Sequence, residues 1–97
     1  MKDLATILAA LRELEAELMT RYPIRQMGVF GSFARGEQRP DSDLDLIVDL
    51  GPGLTLIDLA RLESELGERL GLPVEIAIRD ALAPRIEKRV LAEAVMV

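Results

Sequence analysis

Ninety-seven residues with no cysteine and no histidine make one domain with room for one core, and exclude a disulfide framework, a thiolate metal site, a Ser-His-Asp triad, a His-ligated zinc and a His-based ribonuclease. Seventeen acids against twelve bases, a net charge of −5, is the wrong sign for holding a long nucleic acid through its phosphates, and no apolar run approaches the ~20 residues of a membrane span. A soluble, cytoplasmic protein is expected, whose interior is aliphatic because only Tyr22, Phe30 and Phe33 are aromatic, and whose chemistry must run on carboxylates, Arg, Lys, hydroxyls and borrowed metal.

From Asp3 to Arg21, the apolar positions Leu4, Ile7, Leu8, Leu11, Leu14 and Leu18 recur at three- and four-residue spacing. This predicts an amphipathic helix with Asp3 as its N-cap, ending near Tyr22-Pro23. Ile24 to Phe30 is short, carries Met27, Val29 and Phe30 and runs into Gly31, so it is expected as a buried strand. Ser32 to Gly36 reads as a brief helical turn, and Glu37 to Ser42 as a loop in which Pro40 forbids regular structure. Asp43 to Leu50 is the second expected strand: Leu44, Leu46, Val48 and Leu50 share one face, and Asp43, Asp45, Ile47 and Asp49 the other.

Gly51-Pro52-Gly53 is a turn, and Leu54 to Leu70 a second long helix with Leu59, Leu62, Leu66 and Leu70 on one stripe and Gly71 past its end. Thr55 and Asp58 stand three apart, as in a capping box with Asp in the usual Glu position. Pro73 to Ile78 predicts a third strand, and a shorter helix follows from about Pro84, because proline suits a first helical turn. The tail from Ala94 to Val97 is expected as a short edge strand. This order implies an α/β fold with a single small mixed β-sheet covered by helices, one domain over residues 1–97 without internal repeat or linker.

The informative stretch is Gly31-Ser32, then ten residues, then Asp43-Leu44-Asp45. A glycine at a turn lets backbone approach a ligand closely, and free N–H groups at the start of the following helical turn suit an anion. Two aspartates on one strand face lie roughly 6.5–7 Å apart along the backbone and together suit a hard cation such as Mg²⁺. Arg35, three residues after Ser32, stands within reach of a phosphate or a partner, with a solvated helix arginine as the equal alternative. Asp41 and Asp49 read as solvated caps, Glu13, Glu15, Glu17, Glu63, Glu65 and Glu68 as wet helix faces, Met19, Met27 and Met96 as packing, and Tyr22 as a helix-end residue.

The run GSFARGEQRPDSDLDLIV resembles the polymerase-β-like nucleotidyltransferase superfamily, and specifically its shortest members, the MNT domains paired with HEPN proteins. With the first helix and third strand included, the resemblance covers essentially the whole chain. It implies a two-metal site with two Mg²⁺ ions, ATP as substrate, Asp43 and Asp45 as metal ligands, Gly31 and Ser32 on the triphosphate, and a third carboxylate on the next strand. That position is held by Glu75, where the family usually has Asp. The resemblance further implies an antitoxin that transfers AMP from ATP to a tyrosine of a HEPN RNase toxin, with which it would form a hetero-oligomer. Two other readings remain: an antitoxin that neutralises by contact alone, which the Glu75 departure favours, and a freestanding nucleotidyltransferase acting on a small molecule or an RNA end, the latter disfavoured by the acidity.

Overall fold

In the computed structural model, which describes residues 2–97, helix α1 spans Leu4–Arg21 and strand β1 spans Ile24–Phe30. Asp3 caps α1 as expected, its carboxylate accepting from the Thr6 N–H at 2.9 Å and so satisfying one of the amides that a helix start leaves without a partner. Tyr22 is extended, the conformation forced on a residue that precedes proline, and this stops the helix. A one-turn helix α2, Ser32–Arg35, leads through the loop to strand β2, Leu44–Leu50, and helix α3, Leu56–Leu70. Strand β3, Val74–Ile78, a 3₁₀ turn at Arg79–Ala81, helix α4, Pro84–Glu93, and the short strand β4, Val95–Met96, complete the chain.

Several element boundaries fall inside those read from the sequence: Gly36 is the C-cap of α2 rather than part of it, and β4 covers only Val95–Met96 of the expected Ala94–Val97. Thr55 takes the N-cap of α3, so Leu54 lies outside the helix, and the reciprocal Thr55–Asp58 capping box is fully formed. Strand β3 starts at Val74 rather than Pro73, because proline has no N–H to give a ladder. The Pro73 carbonyl instead accepts from the Leu44 N–H at 2.8 Å, and this first bond between the strands also sets the start of β2 at Leu44 rather than Asp43.

The four strands form one mixed sheet in the order β3-β2-β1-β4. β1 pairs antiparallel with β2 and β4, while β2 and β3 are parallel, which requires a crossover element, supplied by α3. One sheet face carries Met27, Val29, Leu44, Leu46 and Val48 and packs on the apolar stripes of α1 and α3. Ile7, Leu11, Val29, Leu44, Leu46, Val48 and Leu62 are fully buried there, each adding roughly 1.5–3 kcal/mol of transfer free energy. The opposite face is covered only in part, by α4: Ile47, Arg79, Leu91 and Met96 border one recess on it. Ile47 is thus buried although it shares its face with the aspartates.

Four acids expected on wet surfaces have partners: exposed Glu17 pairs with Arg69 at 2.7 Å, and the other three are less exposed. Glu63 accepts from the Ile76 N–H at 3.0 Å, covering a donor on the sheet's edge strand that would otherwise invite pairing. Glu65 holds Arg21 and accepts from the Tyr22 hydroxyl, tying α3 to the end of α1. Asp49 is half-buried and pairs with Arg25 at 3.6 Å, beside the irregularity in β1 between Ile24 and Gln26.

Leu46→Ala should cost about 2–5 kcal/mol, since it empties a fully buried position on a central strand, and would show as a lowered urea midpoint. The Asp58 carboxyl is held below its usual range, chiefly by the Thr55 backbone hydrogen bond and then by the Thr55 hydroxyl. Its contribution is therefore complete above the ordinary carboxylate pKa and is lost as pH falls below it. Asp58→Asn is expected to lower Tm near neutral pH, by an amount that shrinks as pH falls through and below the ordinary carboxylate range, as thermal melts across that range would show.

Candidate active site

The antiparallel pairing of β1 with β2 sets Phe30 opposite Asp45, so the turn that follows Phe30 lies against the start of β2. Gly31 makes that turn at φ 76° and ψ −151°, a backbone region open essentially to glycine alone. A Cβ at this position would run into the Asp45 carboxylate. Glycine is needed twice over at one residue, for its dihedrals and for the space that Asp45 occupies. Ser32 then opens α2, half-buried, and Phe33 anchors that turn in the core.

Across the parallel ladder, Asp45 stands in register with Glu75, which places both on the partly covered face. Asp43 precedes β2 and is exposed, as is Glu75, while Asp45 is half-buried. Burial first, and then the Glu75 and Asp43 carboxylates, push the Asp45 carboxyl above its usual range, with Arg35 pulling the other way. The three predicted acids are therefore electrostatic neighbours around Asp45. Among the described residues, however, no three acidic side chains stand close enough to grip one cation as they are placed. An all-oxygen donor set under mutual repulsion suits a hard divalent ion, whose binding would relieve that repulsion.

Arg35 is exposed, and its guanidinium is paired with two acids. It holds Glu37 through Nε at 2.6 Å and both carboxylate oxygens of Glu93 through one terminal nitrogen, at 3.0 and 3.1 Å. Glu93 Oε1 also accepts from the Gly31 N–H. Glu93 was not among the sequence candidates: it closes α4, 62 residues from Gly31, and nothing in local spacing signals that the last helix returns to the glycine turn.

A cleft of about 580 Å³ is bordered by Lys2, Phe33, Arg39, Ser42 and Leu72 among others. Asp45, Glu75 and Gly31 do not line it. The carboxylate face is open, with Ile86 and Met96 exposed in the elements that border it.

A glycine turn against an acidic strand, on a mixed sheet backed by two helices, is an architecture shared with known proteins. The model of the nucleotidyltransferase domain matches residues 11–97, and the chain belongs to that family. Over 97 residues it is 38% identical to the protein adenylyltransferase MntA of Thermococcus cleftensis, covering 100% of this chain and 95% of that protein. It superposes on the structure of a minimal nucleotidyltransferase with a TM-score of 0.82 and 48% identity, covering 97% of this chain and 95% of the other. The fold is shared also with a chain of the complex between a tri-AMPylated Shewanella oneidensis HEPN toxin and an MNT antitoxin, at TM-score 0.70 and 16% identity, covering 93% and 70%.

Because the charged form of Asp45 is disfavoured in the fold, the folded state carries that penalty at neutral pH. Asp45→Asn keeps the shape and removes the charge. It is expected to raise Tm near neutral pH, a gain that shrinks as pH falls and the wild-type carboxyl takes up its proton; differential scanning calorimetry on both proteins would check this.

Proposed function

We propose that this chain is a Mg²⁺-dependent protein adenylyltransferase that transfers AMP from ATP to a tyrosine of a HEPN-type RNase toxin, and so acts as a cytoplasmic antitoxin. The observation that carries the reading is the register of Asp45 with Glu75 on one open sheet face, directly beside the Gly31 turn. Full-length similarity to a protein adenylyltransferase supports the same class of reaction. The likeness to a chain from an AMPylated toxin–antitoxin complex suggests the acceptor.

In this reading Asp43, Asp45 and Glu75 hold two Mg²⁺ ions, which when bound stabilise the charge of the leaving pyrophosphate and favour deprotonation of the acceptor hydroxyl. Gly31, Ser32 and Arg35 bind and orient the triphosphate. The partly covered face admits the acceptor side chain, which fits a domain that receives its substrate from another protein. The tyrosyl oxygen forms a bond to the α-phosphorus in line as the bond to the bridging oxygen breaks. Pyrophosphate leaves with that electron pair, and the phenolic proton passes to water.

A second reading, neutralisation by contact alone, is favoured by the exposed Glu75 and by the acids not being gathered into a metal-ready group as they are placed. One experiment separates the two. The protein is incubated with Mg²⁺ and ATP labelled at the α-phosphate, with and without its co-purifying partner. Label on the partner that Asp43→Asn or Asp45→Asn abolishes, by a factor of at least about 10², is the expected result. No label, with the partner still bound and silenced, would leave the contact reading standing.

A further inference from the structure

Glu93 spans two of the three residues assigned to the triphosphate: its carboxylate takes the Gly31 N–H and the Arg35 guanidinium together. Its own helix does not explain this placement. Glu93 is the last residue of α4, and no basic side chain stands in that final turn. A negative charge there meets the unfavourable end of the helix dipole. The carboxylate is held by donors from elsewhere in the chain, as a phosphate oxygen would be. Its charge also adds to that already crowding Asp45.

Resting on the reading above, we propose that Glu93 is a built-in competitor for the nucleotide, a carboxylate that fills the phosphate cradle when it is empty and must leave before the triphosphate can enter. The Gly31 amide has one hydrogen, so Glu93 Oε1 and a phosphate oxygen cannot both take it in a linear bond. A polyanion placed beside an unmoved carboxylate would also be repelled at close range. Glu93 can leave without disturbing the fold: its side chain is 29% exposed, it ends its helix, and rotation about its own bonds carries the carboxylate to water. Arg35 keeps Glu37 as a partner meanwhile. The contact therefore weakens nucleotide and pyrophosphate binding alike, and by refilling the cradle it favours release of pyrophosphate.

The test is titration calorimetry of ATP with Mg²⁺, and separately of pyrophosphate with Mg²⁺, into wild type, Glu93→Gln and Ser32→Ala, with a thermal melt of each protein. Glu93→Gln preserves size and removes the charge. It should tighten both ligands roughly threefold to tenfold, the equivalent of one partly exposed charge pair, while its Tm stays level or falls. A merely structural Glu93 would lower Tm and leave affinity unchanged or weaker. If wild type binds ATP and Ser32→Ala weakens it, but Glu93→Gln binds no tighter than wild type, this inference fails and the nucleotidyltransferase reading survives. If none of the three proteins binds ATP, or Ser32→Ala binds as wild type does, both fall together.

Discussion

The close approach of the Gly31 backbone to the Asp45 carboxylate is the constraint around which the rest of the molecule is arranged. It requires β1 and β2 to run antiparallel in one register, with Phe30 opposite Asp45, and it requires a residue without a Cβ in a backbone region closed to others. A slip of one residue between these strands would exchange their faces, sending Asp45 into the aliphatic core and Leu46 into water. The hydrophobic face of β2 is therefore also what aims the carboxylate. Stability and site geometry are set by the same pairing, and Leu44, Leu46 and Val48 serve the site without touching it.

Most of the fold was legible because the long elements carry strong periodic signals and clear ends. The capping box at Thr55 and Asp58, the proline at the first turn of α4 and the final edge strand all appear where local chemistry places them. The boundary errors at Asp43, Leu54 and Pro73 are each one or two residues, decided by which backbone N–H finds a partner. What local patterns do not carry is pairing between distant segments. Glu63 on an edge-strand amide and Glu65 on Arg21 and Tyr22 look in sequence like any helix-surface glutamates. The grouping of Gly31, Asp43, Asp45 and Glu75 around one sheet end followed from spacing and family resemblance, whereas Glu93 had no local signal at all.

The site also shows a tension between folding and function. Asp45 is half-buried beside two other acids, an arrangement that raises its pKa and weakens the fold that contains it. A protein selected for stability alone would place an amide or an aliphatic residue there. The glycine-only backbone at Gly31 and the charge tolerated at Asp45 lie against each other, and such departures from otherwise consistent design rules tend to concentrate where a ligand is expected to supply the missing compensation.

The asymmetry of the sheet extends this logic to partners. One face is sealed by α1 and α3, while the acid-bearing face has only the short α4, with Ile86 and Met96 left exposed. A cleft of about 580 Å³ is bordered by Phe33, Ser42 and Leu72 among others, and neither Asp45 nor Glu75 lines it. A protein acceptor brings its own walls, burying the apolar rim and excluding water from the carboxylates as it docks, and the energy of that docking orients the reacting oxygen. An open acidic face is thus better matched to a macromolecular acceptor than to a diffusing metabolite, which is the physical reason for preferring a protein adenylyltransferase over a freestanding small-molecule enzyme.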